Sequence, residues 1–140
     1  MIIIDSNVIS ALMLVTPDPV VLSWLDRQPP MSVWTTSITI FEVRFGLEVV
    51  PAGRRRSNLQ LQFERVIDED LERRVLAFDH AAGEEAARIM ANRQRTGRVG
   101  DLRDTMIAGI AHAHRATLAT RNVRHFQDLS VSVVDPWQGP

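Results

Sequence analysis

Ile2, Ile3 and Ile4 run together without a polar residue between them, and such an unbroken β-branched stretch predicts a short strand buried on both faces, as inside a parallel sheet. Asp5 stands where that strand ends. Ser6 or Asn7 is placed to cap an amphipathic helix over Val8 to Val15. A turn at Thr16-Pro17 follows, with Asp18 as N-cap of a helix from Pro19 to Arg27 whose stripe is Val20, Val21, Trp24 and Leu25. Gln28-Pro29-Pro30 stops that helix, and Ser32 to Thr36 reads as the second strand. Thr36 or Ser37 caps the next helix, whose apolar stripe is predicted at Ile38, Phe41, Phe45 and Val49, ending before Pro51.

The second half continues the alternation. A polar helix opens at Ala52 and carries Leu59, Leu61, Phe63, Val66 and Ile67; Arg74 to Phe78 predicts the third strand. Asp79 caps a helix from Ala81 to Arg95, with Ala82, Ala86, Ile89 and Met90 as its packing face. Thr96 to Gly100 is a breaker segment read as a mobile loop, after which Asp101 caps a helix whose positions 104, 107, 108 and 111 share one face. Thr117 to Thr120 is the fourth strand, Arg121 to Phe126 a polar turn with a short helical piece, and Val131 to Asp135 the last strand. Helices alternating with short apolar strands predict a three-layer α/β/α sandwich around a mostly parallel sheet of about five strands. With no repeat or linker, residues 1–140 read as a single domain.

Composition narrows the chemistry. There is no cysteine, so disulfides, thiolate nucleophiles and sulfur-based zinc sites are excluded, and any metal must be held by oxygen or histidine, favouring Mg²⁺ or Mn²⁺. No apolar run nears the roughly 18 residues of a membrane span, and Met1 leads straight into the first strand without a basic leader, which predicts a cytoplasmic protein with no membrane partner. Net charge is only -1. All 16 basic residues are arginine, which suits bidentate phosphate contacts, although an arginine-biased genome explains the count at least as well.

Three carboxylates fall at unusual places. Asp5 lies at a strand-to-helix junction, where ligand groups gather in open α/β sheets. Glu42 borders the stripe of Phe41 and Phe45 instead of facing water, with a salt bridge to Arg44 or Arg27 as its plain structural alternative. Asp104 shares the face of Ile107, Ala108 and Ala111, where an unpaired carboxylate would cost several kcal/mol or take up a proton. His112 and His114, two residues apart on one helix, point to different sides and cannot grip one ion together.

These pieces, IIIDSNVIS (2–10), TSITIFEVRFGL (36–47), LRDTMIAGIA (102–111), ATRNVRHF (119–126) and VVDPW (133–137), resemble in order and spacing the PIN-domain ribonucleases, specifically the VapC/FitB-like toxins of type II toxin-antitoxin pairs. The resemblance spans nearly the whole chain. It implies that Asp5, Glu42 and Asp104 gather Mg²⁺ or Mn²⁺, that Thr120 and Asn122 position water or phosphate, and that RNA is hydrolysed by a metal-activated water to 5′-phosphate and 3′-hydroxyl ends. Asn122 stands where many relatives carry Asp; one negative charge is lost there, and a strongly held second ion is in doubt. Asp101 is better suited to capping than to the metal network, and Arg54 to Arg56, Arg98 and Arg121 are candidate RNA-backbone contacts. Also implied are a cognate antitoxin that covers the acidic site, contact with operator DNA only through that antitoxin, and a homodimer or dimer of dimers. Two alternatives stay open: a catalytically weak PIN scaffold that binds a partner, and a PIN nuclease of RNA maturation. A phosphoaspartate hydrolase is disfavoured, because Asn7 occupies the place of its second Asp.

Overall fold

The computed structural model describes residues 1–138 and forms five parallel strands in the order β3-β2-β1-β4-β5, flanked by α-helices on both faces. The strands are β1 (Ile2–Ile4), β2 (Val33–Thr36), β3 (Val75–Leu76), β4 (Thr117–Ala119) and β5 (Val133–Val134). β1 is central, with Ile2 opposite both Val33 of β2 and Thr117 of β4. That position explains the run of isoleucines: side chains alternate across a strand, so Ile3 and Ile4 enter opposite cores, both fully buried.

The helices are α1 (Ser6–Leu12), α2 (Pro19–Asp26), α3 (Ser37–Val49), α4 (Arg54–Arg65), α5 (His80–Arg95) and α6 (Leu102–His114). Ile4 meets Val8, Ile9, Val21, Trp24, Val43, Leu47 and Phe63 in the core beneath α1 to α4. Ile3 meets Ala82, Ile89, Ile107, Ala108, Ala111 and Leu118 in the core beneath α5 and α6. Those two helices pack very closely, because a Cβ at Gly109 would fall 2.5 Å from the Ala82 carbonyl oxygen and 2.7 Å from Ala86 Cβ. Each isoleucine buried this way contributes about 1.5–3 kcal/mol.

Several elements depart from expectation. α1 starts at Ser6 and ends at Leu12, and its cap is Asp5 itself, whose side chain accepts from the Ser6 N–H; Val15, expected on the helix, is 95% exposed. The stripe of α3 is rotated: Thr39, Val43 and Leu47 are buried, whereas Phe41, Phe45 and Val49 are exposed. Thr39 tolerates the core because its hydroxyl accepts from Thr36 Oγ1 at 3.0 Å, and the two phenyl rings stack outside with centroids 6.4 Å apart. The helix expected to run through Ile67 gives way after Arg65 to a π-helical turn, Val66–Asp70. β3 is only two residues long, Val75–Leu76: Arg74 before it turns its side chain inward to the carbonyls of Val33 (2.8 Å) and Pro30 (2.7 Å), and the Phe78 N–H after it donates to Ser37 Oγ at 3.1 Å. Val20 and Met90, expected on packing faces, are exposed. The last strand is confined to Val133–Val134.

Strand order also sets where chemistry is possible. From β1 the chain crosses to β2 on one side, while β4 lies on the other, so the loops after β1 and β4 diverge and leave a crevice at the C-terminal edge of the sheet. Asp5 and Thr120 directly follow these two strands.

Candidate active site

Asp5 is 2% exposed and held from two directions. Its Oδ1 accepts from the Ser6 N–H at 2.8 Å, and its Oδ2 accepts from the Thr120 hydroxyl at 2.8 Å. The Asp5 N–H donates to the Ala119 carbonyl at 3.0 Å, continuing the sheet one residue past the strand. Thr120 Oγ1 in turn accepts from Asn7 Nδ2 at 3.2 Å and from the Asn122 N–H at 3.0 Å. The fully buried hydroxyl is thereby directed at Asp5. Asn122 enters this network through its backbone and is itself exposed.

Glu42 reaches the same crevice from α3. It is half-buried, and its Oε1 is sealed from solvent with no hydrogen-bond partner among the described residues. Burial first, then the neighbouring Asp5 carboxylate, push its pKa from 4.5 up to about 7; Arg103 opposes and Asp104 adds to the rise. The alternative, a salt bridge to Arg44 or Arg27, is not formed: Arg44 pairs with Glu64 at 3.9 Å and Arg27 donates to Ser23 Oγ. Burial also raises Asp5; the Ser6 and Thr120 hydrogen bonds oppose it, and repulsion from Asp104 adds to it.

Asp104 sits in the first turn of α6, where Asp101 caps the helix by accepting from the N–H groups of Arg103 (2.8 Å) and Asp104 (3.2 Å). Asp104 Oδ2 lies 2.9 Å from His125 Nδ1. His125 belongs to the 3₁₀ turn Val123–Phe126 and was not singled out by sequence reasoning; its separation from Asp104 of 21 residues leaves no periodic signal. Arg93 was also missed. It is 3% exposed, donates to both Asp128 carboxylate oxygens at 2.7 and 2.9 Å, to Thr105 Oγ1 at 3.0 Å, and to the His125 carbonyl at 3.1 Å. One buried guanidinium thus ties α5 to the turn carrying His125 and to the residue after Asp104. His112 and His114 stay outside the crevice: His112 faces Glu85 at 3.9 Å, with burial lowering its pKa, and His114 is exposed.

Asp5, Glu42 and Asp104 therefore act on one another electrostatically at a single edge of the sheet, with Thr120 bonded to the first of them. Among the described residues, no group of three or more His, Asp or Glu side chains is arranged to hold a metal ion by protein ligands alone. The unpartnered Glu42 oxygen and the mutual repulsion nonetheless fit a hard cation that keeps much of its own water and takes only one or two carboxylates. A groove of about 400 Å³ runs from Glu42 and Arg103 past Ser6 to Met13, Leu47 and Leu59. Among the described residues, no helix is long and apolar enough to cross a membrane.

The family model described as PIN domain matches residues 2–131 of this parallel α/β/α sandwich. The chain belongs to the PIN-domain family, in its VapC/FitB branch. It is 38% identical over 138 residues to the VapC ribonuclease Y4jK of Sinorhizobium fredii, covering 99% of each chain. To the toxin FitB of Neisseria gonorrhoeae it is 31% identical over 137 residues, covering 98% of this chain and 99% of that one. Among solved structures, FitAB bound to an IR36 DNA fragment superposes with a TM-score of 0.87 at 31% identity, over 98% of this chain and 96% of that one.

Proposed function

We propose that this chain is the toxin of a type II toxin-antitoxin pair and acts as an Mg²⁺- or Mn²⁺-dependent endoribonuclease. The observation that carries the reading is the convergence of Asp5, Glu42 and Asp104 on one another's fields, with Glu42 Oε1 buried and unpaired. A structural role would leave these acids paired with arginine, as Arg93 pairs with Asp128. Membership of the VapC/FitB branch supports the same conclusion.

Asp5 and Asp104 would hold the ion, and Glu42 would orient the attacking water or join the ligand set. A bound divalent cation supplies Lewis-acid neutralisation of phosphoryl oxygens and lowers the pKa of water, so no protein nucleophile is required. The chain's own contribution is positioning. Ser6 N–H and Thr120 Oγ1 fix both oxygens of Asp5, and His125 fixes Oδ2 of Asp104. Asn7 and the Asn122 backbone keep the Thr120 hydroxyl from donating elsewhere, while the Asn122 side chain would meet water or phosphate.

An acidic site of this kind is silenced by an inserted cation, so the partner is a cognate antitoxin that covers it and sends a basic side chain among the carboxylates. Contact with operator DNA would pass through that antitoxin, and the toxin would work in the cytoplasm as a homodimer or dimer of dimers. Incubating the purified chain with RNA, with and without Mg²⁺ or Mn²⁺, tests the activity. Cleavage that requires the ion and vanishes in folded Asp5→Asn supports the reading; cleavage indifferent to both refutes it.

A further inference from the structure

The acids that make the crevice reactive also repel its proposed substrate. Asp5, Glu42, Asp101 and Asp104 lie at one edge of a chain whose net charge is only -1, so a polyanion needs fixed positive charge on the rim to stay there. Arg103 is engaged with Asp101 at 3.8 Å, and Arg56 of the α4 triplet is taken by Glu48 at 2.7 Å. Arg121 is differently placed.

Arg121 directly follows Thr120, the residue that holds Asp5, and its N–H donates to Asn7 Oδ1 at 3.1 Å. Its guanidinium carbon lies 4.6 Å from the centroid of the Trp137 ring. The indole is itself fixed: Nε1 donates to Asp18 Oδ2 at 3.0 Å, and the Trp137 N–H donates to Asp135 Oδ1 at 2.9 Å. Asp18 is anchored as the N-cap of α2, accepting from the Val20 N–H at 3.0 Å. Four segments, the ends of β4 and β5 and the starts of α1 and α2, thus combine to hold one exposed arginine over an aromatic ring. It makes none of the ion pairs formed among the described residues. A guanidinium seated over a ring, with no side-chain hydrogen bond of its own among the described residues, keeps N–H donors of the kind that bond phosphate oxygens in pairs.

We propose that Arg121, seated on the Trp137–Asp18 platform, is a backbone-phosphate subsite that holds single-stranded RNA beside the reacting phosphodiester. This rests on the ribonuclease reading and assigns its substrate grip to one side chain. Trp137 packs on the core beneath α1 to α4 and Asp18 caps α2, so the surface under Arg121 is held in place by the fold itself. A stacked arginine also loses less rotamer freedom on binding than a free one, which favours affinity without a new contact.

The test is binding, not turnover. The full chain, free of antitoxin and in EDTA, is titrated into a labelled mixed-sequence single-stranded RNA and read by fluorescence anisotropy across a salt series, beside Arg121→Ala and Arg121→Lys with thermal melts as the folding control. Arg121→Ala is expected to bind about tenfold more weakly, as for loss of a charge-assisted hydrogen-bond pair. Its plot of log K against log salt should be shallower by about 0.7, the increment for one phosphate on a single strand. Arg121→Lys should keep the slope and still lose affinity, because it keeps charge and loses the planar fork. Equal affinity and slope in Arg121→Ala, a loss with no change of slope, full affinity in Arg121→Lys, or no RNA binding by the parent chain would each overturn the proposal. Failure of the ribonuclease reading shows separately, as absence of Asp5-dependent cleavage by a chain that still binds RNA through Arg121.

Discussion

Glu42→Gln should make the metal-free protein more stable, and the gain should depend on pH. Glu42 has a folded-state pKa of about 7 against 4.5 for an ordinary glutamate, pushed up by burial and by Asp5. The folded state therefore holds the proton more tightly than the unfolded chain. Below 4.5 both states are protonated and nothing is lost; as pH rises to 7 and beyond, folding has to carry an unfavourable charge. The full displacement corresponds to roughly 3.4 kcal/mol. Because the residue is only half-buried, screening reduces this to roughly 1–2 kcal/mol. Glutamine keeps the shape without the charge, so in EDTA the variant should exceed the parent by that amount at pH 8 and match it near pH 4.5, read by urea unfolding. At this chain length that is a melting-temperature gain of about 2–8 °C. An advantage equal at both pH values, or absent at pH 8, would show that Glu42 does not carry the strained charge argued here.

Two further predictions concern the frame that presents the site. Gly109→Ala places a methyl group 2.5 Å from the Ala82 carbonyl oxygen and 2.9 Å from the Ala86 nitrogen, so α5 and α6 must separate; the cost should be roughly 1–3 kcal/mol by denaturant unfolding, and an unchanged midpoint would refute the close packing. Arg93→Leu removes the hydrogen bonds to Asp128, Thr105 and the His125 carbonyl and leaves Asp128 with only Arg98 at 3.8 Å, which should cost roughly 1–3 kcal/mol by denaturant unfolding. A single variant as stable as the parent would show that this pair does not lock the His125 turn.

The fold was legible where the pattern admitted one physical solution. Ile2 to Ile4 can be nothing but a strand covered on both sides, and Asp79 and Asp101 cap the helices that their positions predict. Asp5, by contrast, reads from the sequence as lying before a cap at Ser6 or Asn7 and is the cap, because a carboxylate after the strand can turn back on the Ser6 N–H. α3 misled because it is apolar on two sides. Phe41, Phe45 and Val49 make the stronger stripe, yet Val43 and Leu47 face the core, with Thr39 made acceptable there by Thr36. Glu42 borders whichever stripe is buried, so its placement near the core survived the wrong rotation. Asp104 was found because Ile107, Ala108 and Ala111 fix the face of α6. His125 and Arg93 were not found, since both depend on distant partners: Asp104 is 21 residues from the first and Asp128 is 35 from the second. Asn122 was placed correctly after β4, but its contact is a backbone N–H, which no side-chain pattern reveals.

Asp5, Glu42 and Asp104 are proposed to form an ion-dependent RNA-cleaving site. The most direct measurement is induction of the chain alone in a bacterial host, beside Asp5→Asn and Asp104→Asn, with 5′-end mapping of total RNA and purified protein assayed with and without Mg²⁺ or Mn²⁺. Growth arrest is expected, with discrete new 5′-phosphate ends that are reproduced in vitro only with the ion and lost in both variants. Folded, antitoxin-free protein that produces no new ends, or variants that cut as well as the parent, would contradict it.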